Sequence, residues 1–182
     1  LCMIPTFVEH RLHIDVPNTL EIIILLFIFS AEILGEIQEY YLLFPFWDTM
    51  LHTINGFLMA AIGIAMVDIL NRSRKFKVRL SPAFVALVAF CFSMTVGVVW
   101  EFFEYGMDVF FHTDMQKDTW INTLYSVSLN PEGRNVAQQV TVDSVVVNGQ
   151  SWPAYLDICL HDTMKALLVN FVGAVIFCIL GR

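Results

Sequence analysis

Three acidic residues lie at the end of one of the most apolar stretches of the chain. Glu101, Glu104 and Asp108 belong to the sequence WEFFEYGMD, which directly follows the segment SPAFVALVAFCFSMTVGVV. Their spacing of i, i+3 and i+7 places all three on one side of an α-helix. Carboxylates that share a poorly hydrated site cannot all remain ionised, so such a group takes up protons or a cation.

Two other segments carry residues that commonly bind metal ions. Asp48 and His52 are spaced as i and i+4, one helical turn apart, and His161 and Asp162 begin another apolar segment. Carboxylate and imidazole groups suit a divalent metal ion, and this mixture does not distinguish Zn, Mn and Fe. The candidate metal ligands are therefore Asp48, His52, Glu101, Glu104, Asp108, His161 and Asp162.

The composition indicates the kind of element that must position these residues. Of 182 residues, 57% are hydrophobic and 15% are charged, and the mean hydropathy is +0.67. Soluble domains are about a quarter charged, and the apolar blocks here are long enough to cross a bilayer, which takes about 20 residues. We expect a single all-α membrane domain over residues 1–182, a bundle of about four transmembrane helices surrounded by lipid. The predicted spans are residues 18–36, 47–70, 82–111 and 156–180.

The distribution of basic residues predicts the orientation of these spans. Half of the ten Lys and Arg residues lie in the short link at residues 71–81, and short basic links stay in the cytoplasm. Both ends of the chain are then cytoplasmic, and the long polar insertion at residues 112–155 is extracytoplasmic. The candidate ligands are expected near the extracytoplasmic face. Because orientation explains the basic cluster, nucleic-acid binding is not expected.

The insertion at residues 112–155 carries strand signals. Its segment QQVTVDSVVV alternates polar and β-branched residues, and Asn148-Gly149 is a strong two-residue turn. We expect a small β-hairpin here, with Trp120, Trp152 and Tyr155 at the level of the lipid headgroups. The alternative is a mobile loop, since an isolated two-stranded ribbon is barely stable in water.

Small residues share helix faces with the candidate ligands. Asn55 and Gly56 continue the stripe of Asp48 and His52, and Gly97 precedes the three acids on theirs. Asp162 similarly shares a stripe with Ala166, Asn170 and Gly173. Small residues on membrane helices mark faces that pack closely against neighbouring helices. We therefore expect the acids to point into the bundle rather than into lipid.

Three functional hypotheses remain open at this point. The first is a metal site, either structural or hydrolytic. In the hydrolytic version, a spare carboxylate such as Glu104 takes the proton of a metal-bound water. The second is an ion- or proton-coupled subunit of a small transporter. The third is a non-catalytic scaffold or sensor, with the outer hairpin as its partner surface. A structural role for the acids is also open, because Asp48 and Asp162 each begin the tripeptide Asp-Thr-Met at a helix entrance, where the helix dipole favours an acid. Whether the protein is an enzyme is left open.

Four segments resemble the YjdF-like family of uncharacterised bacterial inner-membrane proteins. They are WDTMLHTINGF, VWEFFEYGMD, HTDMQKDTW and DTMKALLVNFVGA, and they extend over spans two to four. The resemblance implies a multi-pass fold in a bacterial cytoplasmic membrane, but it implies no reaction. It supports the positions of Asp48, His52, Glu101, Glu104, Asp108, Asp118 and Asp162. Members of that family have additional N-terminal spans. We accordingly expect missing N-terminal helices, or a homo-oligomer, to complete the bundle.

Overall fold

The computed structural model describes residues 18–72 and 80–180. Most of the basic link and both ends of the chain, on which the predicted orientation depends, lie outside the described residues. The helices are α1 (Asn18–Ile28), a π-helix (Phe29–Ile37), α2 (Tyr40–Leu43), α3 (Trp47–Arg72), α4 (Pro82–Phe111) and α5 (Leu160–Leu180). The strands are β1 (Thr119–Ile121), β2 (Thr123–Ser126), β3 (Gln138–Thr141), β4 (Val145–Val147), β5 (Gln150–Trp152) and β6 (Tyr155–Asp157).

Three helices of the described chain are long and apolar enough to cross a membrane. Their candidate spans are Trp47–Asp68, Pro82–Phe111 and Leu160–Leu180. These segments agree with three of the four predicted spans, although α5 begins at Leu160 rather than at residue 156. Hydropathy over about 20 residues was therefore a sufficient signal for them.

The remaining predicted span, at residues 18–36 and first along the chain, is not confirmed as a continuous α-helix. Its first 11 residues form α1, and its remaining residues lie in the π-helix, which continues to Ile37. The Ser30 hydroxyl donates to the Leu26 carbonyl at 2.8 Å, and the Trp47 indole donates to the Ser30 carbonyl at 3.3 Å. Both side chains donate hydrogen bonds to backbone carbonyl groups of this helical segment. Side chains that compete for these carbonyls commonly accompany the wider turns of a π-helix. The π-helix ends before Glu39, which has a left-handed φ of 59°.

The chain divides into two compact units. The first comprises Leu1–Gly97 and Leu168–Arg182, and the second comprises Val98–Leu167. Helices α4 and α5 each contribute residues to both units. In the first unit, a Cβ on Gly56 would overlap the Asn170 carbonyl, and a Cβ on Gly173 would overlap the Thr53 carbonyl. The prediction that the small-residue faces pack closely is therefore confirmed.

A polar network joins the helices of the first unit at this close contact. Asn170 and Ser93 are fully buried. Asn55 Nδ2 donates to Asn170 Oδ1 at 3.0 Å, Asn170 Nδ2 donates to the Ser93 carbonyl at 3.4 Å, and Ser93 Oγ donates to the Gly56 carbonyl at 2.8 Å. Hydrogen bonds of this kind stabilise packing between membrane helices, where the hydrophobic effect between helices is absent.

The second unit contains small antiparallel strand pairs rather than the one predicted hairpin. Strand β1 pairs with β6, β2 with β3, and β4 with β5. Asn148 and Gly149 join β4 to β5 with positive φ angles of 52° and 81°, as a tight two-residue turn requires. Trp120 and Trp152 stack with their ring centroids 5.8 Å apart. The β1–β6 pair joins the segments that continue to α4 and α5.

Candidate carboxylate site

Two acidic side chains of α4 are buried in the second unit. Glu101 is 4% exposed and Glu104 is 8% exposed, whereas Phe102 and Phe103 between them are 69% and 49% exposed. The residues stand one helical turn apart, so the two carboxylates share a face. The helix thus directs its acids inward and its phenyl rings outward. For Glu101 and Glu104, the prediction that the acids point into the protein is confirmed.

Each buried carboxylate accepts a hydrogen bond from a neutral side chain. Trp100 Nε1 donates to Glu104 Oε1 at 2.7 Å, along the same helix. Gln116 Nε2 donates to Glu101 Oε2 at 3.4 Å. Such donors offset part of the desolvation of a buried carboxylate.

Gln116 is a component of this site that the sequence did not reveal. It lies in the segment that follows α4, yet only 3% of its surface is exposed. Its Nε2 also donates to Thr163 Oγ1 in the first turn of α5, at 2.7 Å. A single neutral residue in a polar segment has no spacing that marks it, so only the fold shows its position.

Asp108 holds the segment that carries Gln116. After α4 ends, the chain reverses at His112, which has a left-handed φ of 58°. The Asp108 carboxylate then accepts hydrogen bonds from Thr113 Oγ1 at 2.8 Å and from the backbone N–H groups of Met115 and Gln116 at 2.7 and 2.9 Å. These three donors give Asp108, one of the predicted metal ligands, an observed role in shaping this segment.

The acids near the start of α5 also bind backbone groups. Asp162 Oδ2 accepts a hydrogen bond from the Lys117 N–H at 2.8 Å, and Asp157 Oδ2 accepts one from the His161 N–H at 2.8 Å. The second contact is that of an acid near a helix N-terminus, where backbone N–H groups need acceptors. His161, another predicted ligand, has an exposed side chain.

The remaining two predicted ligands, Asp48 and His52, come together in the first unit. His52 Nε2 lies 3.2 Å from Asp48 Oδ1, and His52 is only 9% exposed. Both belong to the first turns of α3, as their i, i+4 spacing predicted. A carboxylate that binds one ring nitrogen fixes the orientation and tautomer of the imidazole, as occurs with metal-binding histidines.

The comparisons with known proteins support the membrane assignment. No curated protein and no solved structure is significantly similar to the chain. A protein family described as "Predicted membrane protein (DUF2238)" matches residues 1–182. This description agrees with the three apolar helices found among the described residues. The chain therefore belongs to this family of predicted membrane proteins.

Proposed function

We propose that this membrane protein binds a divalent metal ion through Glu101 and Glu104. The observation that carries the proposal is the burial of both acids, 4% and 8% exposed, one turn apart in an apolar helix. Burying a single carboxylate is costly, and a second one on the same face adds repulsion between like charges. A divalent cation offsets both costs.

The hydrogen bonds of the two glutamates are compatible with metal binding. The bonds from Gln116 and Trp100 engage Oε2 of Glu101 and Oε1 of Glu104. An ionised carboxylate has two oxygens with about four lone-pair positions, so it can accept a hydrogen bond and also coordinate a cation. Ligating carboxylates in metal sites are commonly held by hydrogen bonds in this way.

Carboxylate ligands suit Zn, Mn or Fe alike. Two protein ligands also leave coordination positions for water, which the hydrolytic version of this hypothesis requires. We assign structural roles to Asp108 and Asp162, whose carboxylates bind backbone N–H groups.

We further propose that the site opens to the outer side of a bacterial cytoplasmic membrane. The support is the sequence: the basic link at residues 71–81 precedes α4, and the strands follow it. Short basic links remain in the cytoplasm. The end of α4 that carries Glu101 and Glu104 is then the extracytoplasmic end.

Metal binding by the purified protein tests the proposal. The wild-type protein is stripped with a chelator and titrated with Zn²⁺, Mn²⁺ or Fe²⁺ in detergent. We expect about one ion per chain for at least one metal. At a metal concentration of about 100 times Kd, binding stabilises the folded state by about 2.7 kcal/mol, which raises Tm. Glu101→Gln and Glu104→Gln should each weaken binding by at least about tenfold.

The matched control is Glu132→Gln. Glu132 is an exposed glutamate that pairs with Arg134 at 3.1 Å. This variant should bind metal with the wild-type affinity. A wild-type protein whose Tm responds to none of the three metals would contradict the proposal and favour a structural pair of acids. Wild-type affinity in Glu101→Gln would also contradict it.

A further inference from the structure

The segment from Thr113 to Lys117 is anchored at both of its ends by carboxylates of different helices. Asp108 of α4 binds its first part through Thr113, Met115 and Gln116, and Asp162 of α5 accepts the N–H of Lys117. Lys117 Nζ also donates to the carbonyl of Asp114 within the segment. Hydrogen bonds therefore fix the backbone N–H groups of Met115, Gln116 and Lys117, on both sides of the buried Gln116 side chain.

The orientation of the Gln116 amide follows from its acceptors. A carboxylate that binds a metal ion is ionised and only accepts hydrogen bonds, so in the metal-bound state the side of the amide that meets Glu101 is the nitrogen. This nitrogen has two hydrogens, and the two contacts, with Glu101 Oε2 at 3.4 Å and Thr163 Oγ1 at 2.7 Å, account for both. The amide therefore links the glutamate of α4 to the first turn of α5 in one arrangement.

We propose that Gln116 is a positioning residue for the metal site: it fixes the side chain of Glu101 in the conformation that binds the ion. This inference rests on the proposed function. A glutamate has three rotatable side-chain bonds, and ordering them on binding costs conformational entropy. A hydrogen bond that orders the side chain in advance lowers that cost, and loss of such a partner typically weakens metal affinity about 10- to 100-fold.

Titration with Co²⁺, followed by visible absorption, tests this role, because the spectrum reports the geometry of the ligands. Gln116→Met keeps a similar length and removes the donor. We expect its Co²⁺ affinity to fall by at least about tenfold and its spectrum to change. The control is Gln139→Met, an exposed position in β3 of the same unit, which should match the wild type in both measurements.

Thr163 supplies a second, independent pair of variants. Thr163→Val keeps the side-chain shape and removes the acceptor that holds the Gln116 amide, whereas Thr163→Ser retains a hydroxyl. We expect weaker Co²⁺ binding in Thr163→Val and recovery in Thr163→Ser. If Gln116 has only a structural role, Gln116→Met and Thr163→Val should lower Tm in the absence of metal and leave both the Co²⁺ affinity and the spectrum unchanged.

The outcomes separate this inference from the proposed function. If the wild-type protein binds none of the metals, the proposed function fails, and the role of Gln116 fails with it. If the wild type binds Co²⁺ and Gln116→Met binds it with equal affinity and an equal spectrum, only the role of Gln116 is overturned. Should Gln116→Met not fold, equal affinities for Thr163→Val and Thr163→Ser would overturn that role instead.

Discussion

The backbone carbonyl of Asn170 lies so close to the Cα of Gly56 that a side chain on Gly56 has no room. Two hydrogen bonds between helices lie beside this contact. Ser93 Oγ donates to the Gly56 carbonyl, and Asn55 donates to the Asn170 side chain. Close backbone approach and interhelical hydrogen bonds are the main sources of association between membrane helices. Gly56 therefore lies at the centre of this packing.

Gly56→Ala should destabilise the folded protein. The added Cβ would overlap backbone atoms of Asn170, which cannot move aside as the end of a flexible side chain can. Overpacking of a well-packed interior typically costs about 1–3 kcal/mol. We expect a lower Tm and a smaller fraction of folded protein in detergent, measured by thermal unfolding.

Gly106→Ala is the matched control for this prediction. Gly106 belongs to α4, and a Cβ built on it meets nothing within 4 Å. Alanine is favoured over glycine in a helix by about 1 kcal/mol, so this variant should be as stable as the wild type or slightly more stable. Equal Tm values for Gly56→Ala and Gly106→Ala would contradict the proposed importance of the close contact.

The three long apolar helices and their packing faces could be predicted from the sequence because both depend on local patterns. Long apolar blocks identify α3, α4 and α5, and the small residues at helical spacing locate the contacts of Gly56 and Gly173. The inward direction of Glu101 and Glu104 follows from the same spacing. In each case the signal lies within a single helix.

Features that depend on distant contacts could not be predicted. The interruption of the first span involves the indole of Trp47, 17 residues beyond Ser30. The pairing of Trp120 with Leu156 in strands β1 and β6 joins segments far apart in sequence. The burial of Gln116 depends on how its segment folds back over α4 and α5.

The metal-ligand roles of the seven residues stay predictions, and the structure adds how their side chains are placed. Spacing identifies which face an acid occupies, but it does not show how deeply the acid is buried or which backbone groups it binds. Asp108 and Asp162 accept backbone N–H groups, and the side chain of His161 is exposed. Only Glu101 and Glu104 combine an inward direction with nearly complete burial among the acids predicted on α4.

The proposed orientation predicts which parts of the chain are reachable from outside the cell. In a variant that lacks the four native cysteines, Ser151→Cys, at an exposed position in β5, should react with a membrane-impermeant maleimide on intact cells. Ser73→Cys, in the predicted basic link, should react only after the membrane is permeabilised. The reverse pattern of labelling would contradict the orientation and place the carboxylates at the cytoplasmic face.

Asp118 lies in an acidic environment outside the membrane spans. Desolvation raises the pKa of Asp118 above its ordinary value, and the carboxylates of Asp114, Asp108 and Asp157 raise it further, whereas Lys117 lowers it. The side chain is exposed, so solvent and salt screen the part of this effect that comes from neighbouring charges. The folded protein therefore binds this proton more tightly than the unfolded chain does.

Asp118→Asn should stabilise the protein at neutral pH and leave it unchanged in acid. The pKa of Asp118 is higher in the folded state than in the unfolded state. Its carboxyl group therefore does not lower the free energy of unfolding at a pH below the unfolded-state pKa. The destabilisation grows as the pH rises from there and levels off once the pH exceeds the folded-state pKa. The Tm difference between Asp118→Asn and wild type should thus be near zero at about pH 3, grow toward neutral pH and shrink with added NaCl. A wild-type protein more stable than Asp118→Asn at neutral pH would show that this acid is held by attraction rather than by repulsion.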